Sequence, residues 1–81
     1  MRTNTVPYRL VYMGVPVTIR LRELREAKGL SQAALARLSA VPQPTISRIE
    51  AGTGAIDLRV LEKLADALEV DAAFLIRHLR R

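Results

Sequence analysis

Apolar residues recur at helical spacing along most of the chain, and turn residues divide this pattern into five short segments. The first segment, Ile19–Lys28, carries Leu21 and Leu24 three residues apart among charged side chains. Gly29 follows at the position where a helix commonly ends in a left-handed residue. The pattern therefore predicts a helix that ends just before Gly29.

Two short helices are predicted next, separated by a tight connection. Ser31 is a good N-cap for a helix from Gln32 to about Leu38. Another helix runs from about 43 to 51 and ends at Gly52. Five residues in these two helices and their connection are predicted to face the core: Leu35, Leu38, Val41, Ile46 and Ile49.

The last two predicted helices each follow an aspartate. Asp57 is the expected N-cap of a fourth helix, and Asp71 that of a short fifth helix. The apolar stripe of the fourth helix consists of Leu58, Leu61, Leu64, Ala65 and Leu68. The apolar residues of the fifth are Phe74, Leu75, Ile76 and Leu79. We therefore expect an all-α bundle of five short helices.

The first 18 residues differ from this helical pattern. Residues 8–13 and 15–19 are typical of short extended segments, which suggests a strand or a hairpin about Gly14. Pro16 predicts that its strand lies at a sheet edge. Met13 is also an alternative start for the domain. We divide the chain into an N-terminal extension, residues 1–18, and a helical domain, residues 19–81.

Composition narrows the class of protein. The 81 residues are 49% hydrophobic but contain no cysteine, which excludes disulfides and thiolate metal sites. The formal net charge is +5, and eleven of the thirteen basic residues are arginine, which favours an anionic partner. No apolar run approaches the roughly 18 residues that a membrane span needs, and no secretory signal is evident. We expect a cytoplasmic protein without membrane association.

The third predicted helix has a clear division between its two faces. With Ile46 at the centre of the buried face, a step of 100° per residue brings Ile49 and Glu50 close to it. Small residues in the second helix, at 33, 34 and 36, allow two helices to cross at short range, as in a helix-turn-helix pair. The residues that the same projection places outward are Pro44, Ser47, Arg48 and Ala51.

Two segments, Leu24–Ala36 and Val41–Gly52, resemble the Cro/C1-type (XRE) helix-turn-helix family, which has the lambda-repressor-like fold. The similarity continues through Ile56–Leu58, and it covers roughly residues 19 to 79 without a gap. The resemblance implies a five-helix DNA-binding domain whose third helix enters the major groove.

The resemblance also implies roles for individual residues. Gln32 matches a residue that contacts phosphate and braces the third helix, and Arg25 and Glu50 match an inward-facing ion pair. Arg48 is suited to the O6 and N7 of guanine, and Gln43 to the N6 and N7 of adenine. The residues that match positions facing bases or the flanking backbone are Gln43, Pro44, Thr45, Ser47 and Arg48.

Some features depart from the family pattern. Ala40 stands where the family prefers glycine, so a positive φ there would be strained by roughly 1–2 kcal/mol. Pro42 replaces the usual Ser or Thr cap of the third helix. Pro44 disfavours helical angles at Gln43, so Gln43 is either a helix cap or a base contact. The loop 53–56 has no basic residue.

Other residues permit a structural or a functional interpretation. Phe74, Leu75 and Leu79 either form a homodimer interface or close the core. Arg48 is either a base contact or an ordinary solvated arginine. His78 has no cysteine or carboxylate cluster in register, so we expect no metal site, no cofactor and no enzymatic activity.

These observations favour a sequence-specific regulator of transcription that binds double-stranded DNA as a homodimer, as a repressor or autoregulator. A restriction-modification controller, or an antitoxin with a toxin partner, fits the same pattern. The alternative from another class is a protein-interaction module that has lost DNA binding. So short a chain is expected to lack a separate ligand-sensing domain.

Overall fold

The computed structural model describes residues 10–12, 15–53 and 56–78. Within these residues the chain forms five helices and one three-stranded sheet. The helices are α1 (Leu21–Ala27), α2 (Gln32–Ser39), α3 (Gln43–Ala51), α4 (Leu58–Leu68) and α5 (Ala72–Leu75). The strands are β1 (Leu10–Tyr12), β2 (Val15–Ile19) and β3 (Ile76–His78). The predicted five-helix architecture is confirmed.

Local hydrogen bonds define where the helices begin and end. Ser31 caps α2 by accepting from the Ala34 N–H, and Asp57 caps α4 by accepting from Arg59 and Val60. Gly29, after α1, adopts a φ of +71°, as the sequence predicts. Asp71 occupies the N-cap position of α5, but its side chain makes no capping hydrogen bond.

The sheet joins the two ends of the described chain. Strands β1 and β2 are antiparallel, and β3 adds to the other side of β2 with Ile19 opposite Ile76. The prediction of an edge strand at Pro16 is wrong, because β2 is the central strand. Among the described residues β3 pairs only with Val17–Ile19, so Pro16 lies opposite β1 alone.

Strand pairing also corrects two helix boundaries. Ile19 belongs to β2 and not to the first helix, and Ile76 belongs to β3 and not to the fifth. Both residues pair in the sheet, which gives their backbone groups partners that an isolated helix end lacks. Beside this pair, the Arg20 N–H donates to the Leu75 carbonyl at 2.9 Å, which ties the start of α1 to the end of α5.

One hydrophobic core connects all five helices. Four of the residues predicted to face the core in the second helix, the third helix and their connection are buried: Leu35, Val41, Ile46 and Ile49. The other buried apolar residues are Leu21, Ile56, Leu61, Leu64, Ala65, Leu68 and Leu75. No helix in the described part of the chain is long and apolar enough to span a membrane.

Two leucines expected in the core are exposed. Leu38 is 62% exposed, because the buried face of α2 passes in its last turn from Leu35 to Ser39, four residues later. Leu58 is 47% exposed, since it is the first residue of α4 and precedes the first packed turn.

The turn between α2 and α3 contains a strained residue. Ala40 adopts a left-handed conformation with φ 60° and ψ 30°, as anticipated for a position where glycine is preferred. A Cβ in this region costs roughly 1–2 kcal/mol. This left-handed residue ends α2 and is the first of the three residues, 40–42, that lead into α3.

Replacing Ala40 with glycine should therefore stabilise the protein. Relief of strain exceeds the entropy that glycine adds to the unfolded state, about 0.4–1 kcal/mol. We expect Ala40→Gly to raise the Tm by about 2–8 °C in a thermal melt followed by circular dichroism. Ala36→Gly is the matched control, because it makes the same change within α2 and should lower the Tm. A lower Tm for Ala40→Gly would contradict a strained turn.

Candidate nucleic-acid interface

Helices α2 and α3 form a compact pair joined by a hydrogen-bonded turn. The Ser39 hydroxyl donates to the Leu35 carbonyl at 2.7 Å and accepts from the Val41 N–H at 3.2 Å. Ser39 is buried, so these bonds satisfy backbone groups that water does not reach. The sequence interpretation treated Ser39 only as part of the connection. Its spacing of four residues from Leu35, which places it on the buried face of α2, was the available signal.

Helix α3 begins without a side-chain cap. Pro42 is the N-cap residue, and its carbonyl accepts from the N–H groups of Thr45 and Ile46. Pro44 fits in the first turn, where its missing N–H has no helical partner to lose. Gln43 is the first residue of the helix, so the alternative in which Gln43 caps it is wrong. Its side chain lies exposed beside the N-terminus of α2.

The outward face of α3 is mostly exposed. Ile46 and Ile49 anchor the opposite face in the core, and Thr45 is partly buried between the two faces. The exposed residues of this helix are Gln43, Pro44, Ser47, Arg48 and Ala51. We call these five, together with Thr45, the outer face of α3.

Most side chains on the outer face are short, and Arg48 is its only cation. The Arg48 guanidinium lies along the helix, where Nη2 donates to the Thr45 hydroxyl at 3.3 Å. In the turn that follows, the Thr53 hydroxyl donates to the Arg48 carbonyl at 3.2 Å. The short side chains permit close approach of a ligand, while Arg48 supplies charge and several donors.

A buried ion pair fixes α3 against α1. Arg25 Nε donates to Glu50 Oε2 at 2.6 Å, and Arg25 Nη2 donates to Glu50 Oε1 at 3.0 Å. Arg25 Nη1 donates to the Leu30 carbonyl at 2.7 Å. The two side chains are only 10% and 1% exposed. The structure thus brings together the two residues that the sequence paired.

The Glu50 carboxylate has further donors around it. Gln32 Nε2 donates to Oε1 at 3.0 Å, and the exposed Arg22 approaches the same oxygen at 3.5 Å. Burial by itself raises the pKa of the Glu50 carboxyl. The hydrogen bonds from Arg25, Gln32 and Arg22, together with the charge of Arg25, more than offset this, so the pKa lies below the ordinary value. Arg22 was not assigned this role from the sequence, since nothing in its spacing distinguishes it from a solvated arginine.

Gln32 links the buried pair to the outer face of α3. Its Nε2 donates to Glu50, while its Oε1 lies 3.5 Å from Gln43 Nε2 and accepts from it. The structure therefore places Gln32 between the core and the first residue of α3.

The residues proposed for a dimer interface have different environments. Phe74 is 47% exposed. The Arg20 Cζ lies over its ring, 4.5 Å from the ring centroid, in a cation–π contact. Leu75 is wholly buried in the chain's own core, so its assignment to the interface is wrong. Leu79 lies outside the described residues.

The fold and the α2–α3 geometry agree with comparisons to known proteins. A family model described as helix-turn-helix matches residues 21–75. The chain belongs to the XRE-type helix-turn-helix family. It is a DNA-binding regulator of transcription, as its sequence predicts. No curated protein sequence matches it significantly.

A solved structure supports the same assignment. The restriction-modification controller protein C.AhdI from Aeromonas hydrophila is similar to this chain, with 44% sequence identity and a TM-score of 0.64. The similarity covers 67% of this chain and 82% of that one.

The buried ion pair makes a prediction about stability. Glu50→Leu leaves the Arg25 guanidinium buried without its partner and should destabilise the protein by about 3–5 kcal/mol. The double variant Arg25→Met/Glu50→Leu removes both charges and should recover a large part of this loss. Urea denaturation at neutral pH measures the three free energies of unfolding. Equal stability of the single and double variants would show that the unpaired charge is not the cause.

The dependence of stability on pH provides a second test of the Arg25–Glu50 pair. Because the pKa of Glu50 is lower in the folded state, its carboxylate stabilises the fold above the unfolded value of about 4.3, and this contribution is lost as pH falls through the folded pKa. The double variant should therefore lose less stability than the native protein below about pH 4. Glu62→Gln, which removes an exposed carboxyl from α4, is the comparison variant for the loss of one negative charge.

Proposed function

We propose that this protein is a sequence-specific regulator that inserts α3 into the major groove of DNA. The observation that carries the proposal is the exposed outer face of α3, held by a buried ion pair and by two isoleucines. A B-DNA major groove, about 12 Å wide, admits one helix. The rigid support fixes the register of α3 while its outward side chains remain available to bases.

The chemistry of the outer face supports specific contacts. Arg48 can present two donors to guanine O6 and N7, and Gln43 can present a donor and an acceptor to adenine. The Thr45 methyl can pack against thymine. The close approach that these contacts need is favoured by the short side chains of Ser47 and Ala51. A net charge of +5 supplies a general attraction to phosphate.

We further propose that the active form is a homodimer on a two-fold symmetric operator, with half-sites about 34 Å apart. Among the described residues of the C-terminal region, Phe74 supports such an interface because its side chain is exposed. The similarity to C.AhdI favours a controller of a restriction-modification system over an antitoxin. A neighbouring methyltransferase gene would support the former, and a neighbouring toxin gene the latter.

The alternative function is a protein-interaction module of the same fold. The absence of basic residues from the loop 53–56 favours this alternative, since relatives place cations against phosphate there. The two functions differ in whether duplex DNA binds at all.

Salt dependence distinguishes them. A DNA-binding regulator should bind a random duplex with an affinity that falls steeply between 50 and 200 mM salt, by about 10³-fold if it makes six or more phosphate contacts. Fluorescence anisotropy with a labelled duplex measures this. A protein without salt-dependent binding would be the interaction module. Selection of bound duplexes from a random library then gives the operator and the half-site spacing.

Arg48 provides the test of base contact. Arg48→Ala should reduce the preference at one base pair of each half-site by about 5- to 150-fold, corresponding to 1–3 kcal/mol, and should leave the thermal melt unchanged. Arg59→Ala is the control, because Arg59 is an exposed arginine on α4. That variant removes the same charge and should weaken binding equally for all sequences. Unchanged base preference in Arg48→Ala would remove this residue from the contact surface.

A further inference from the structure

Arg22 is an exposed arginine of α1 that lies beside the buried ion pair without being needed to complete it. Its Nε lies 3.5 Å from Glu50 Oε1, and its side chain is 64% exposed. Glu50 already accepts three shorter hydrogen bonds, two from Arg25 at 2.6 and 3.0 Å and one from Gln32 at 3.0 Å. A contact of this length with a mostly solvated arginine contributes little to stability. The stability of the fold therefore does not explain why Arg22 lies here.

The contact with Glu50 places Arg22 at one edge of the outer face of α3. Because successive helical residues are rotated by about 100°, Glu50 lies about 20° from Gln43 and about 60° from Ser47 around the helix axis. Gln43 and Ser47 are both exposed. Arg48 lies about 160° from Glu50, toward the opposite edge. The outer face thus has Arg48 toward one edge and Arg22 beside the other.

This arrangement matches the boundaries of a major groove. The groove has a phosphate backbone on each side, so a helix that enters it turns one edge toward each backbone. The edge next to Gln43 has no basic residue of α3, and the loop 53–56 has none either. Arg22, contributed by α1, is an exposed cation beside this edge. Its guanidinium offers several donors in a geometry that fits phosphate oxygens.

We propose that Arg22 is a phosphate-binding residue that fixes the Glu50 edge of α3 against one DNA backbone. In the free protein Glu50 holds the guanidinium near this edge, so less side-chain entropy is lost when a phosphate binds. A phosphate contact carries no sequence information, so Arg22 contributes to affinity and not to base preference. The inference rests on the proposed insertion of α3 into the major groove, and it adds a residue of α1 to that interface.

The salt dependence of binding to the selected operator tests this contact. Arg22→Met keeps most of the aliphatic side chain and removes the charge. It should make the slope of log K against log salt concentration less steep by about 0.9 for each half-site, with base preference unchanged. Arg22→Lys retains a charge that can reach a phosphate, so it should recover most of the native slope.

Lys28→Met is the matched control for the loss of one positive charge. Lys28 is the C-cap residue of α1, about 120° around the helix from Arg22, and its side chain pairs with Glu69. Exposed charges far from the phosphates are largely screened at 0.1 M salt. Lys28→Met should therefore change the slope by no more than a third as much as Arg22→Met.

A second measurement locates Arg22 on the DNA without relying on affinity. The chain has no cysteine, so Arg22→Cys introduces a unique thiol. An iron–EDTA group attached to this thiol should cleave the DNA backbone at one edge of the major groove in each half-site. The same group attached to Lys28→Cys should give no such localised cleavage. Thermal melts show whether each variant is folded.

The outcomes are distinct. A slope for Arg22→Met like that of Lys28→Met, or scattered cleavage from the thiol at position 22, would overturn the inference while DNA binding by α3 stands. Loss of preference at one base pair in Arg22→Met would also overturn it, because Arg22 would then contact a base. If the native protein binds no duplex, the proposed function fails and the inference fails with it.

Discussion

The arrangement of this protein depends on one buried carboxylate. Glu50 belongs to α3, whose outer face is exposed to solvent, yet its own side chain is only 1% exposed. Its carboxylate accepts hydrogen bonds from Arg25 and Gln32. An ionised carboxylate in such a place is tolerated only if its oxygens are fully hydrogen-bonded. That requirement restricts where α1, α2 and α3 can lie relative to one another. The apolar contacts of Ile46 and Ile49 hold α3 down, but they permit sliding and rotation that the directional bonds do not.

The turn between α2 and α3 works within the same restriction. If α3 must present Glu50 to Arg25, the chain has only Ala40, Val41 and Pro42 in which to leave α2 and enter α3. A left-handed residue at Ala40 and a buried serine that serves both sides of the turn make this short connection possible. The strain at Ala40 is a local cost that the fixed position of α3 requires. Pro42 and Pro44 limit the backbone further, so the start of α3 has little freedom.

Much of the helical architecture was predictable because it rests on local signals. Periodic leucines, the Ser31 and Asp57 caps and the glycine after α1 each report a local preference, and each has the predicted role. The Arg25–Glu50 pair was predictable for another reason, since a carboxylate on the inward side of a helix needs a partner. The comparison to a known family then supplied which arginine it was.

The errors concern features that depend on distant parts of the chain. Ile19 and Ile76 are apolar at helical spacing, and only their pairing across 57 residues places them in strands. Leu38 and Leu58 satisfy the helical pattern but lie near helix ends, where the described part of the chain leaves them exposed. Leu75 was given to a surface because a short helix with many apolar residues does not reveal which of them the core takes.

The link from Glu50 through Gln32 to Gln43 was predicted only in part, since the family resemblance implied that Gln32 braces α3 but not which atoms it bonds. Sequence spacing can place two glutamines at the starts of adjacent helices. It does not show which atom of each side-chain amide donates and which accepts, because that depends on the partner that orients the neighbouring amide. Here the partner is a charged group in the core, so the direction of each hydrogen bond follows from the one before it. A residue that supports the fold and a residue on the exposed outer face of α3 are thereby parts of one network. Conservative replacement of a buried residue in such a network can change which donors and acceptors the outer face presents while the helices remain in place, because an amide has two orientations of similar shape and opposite chemistry.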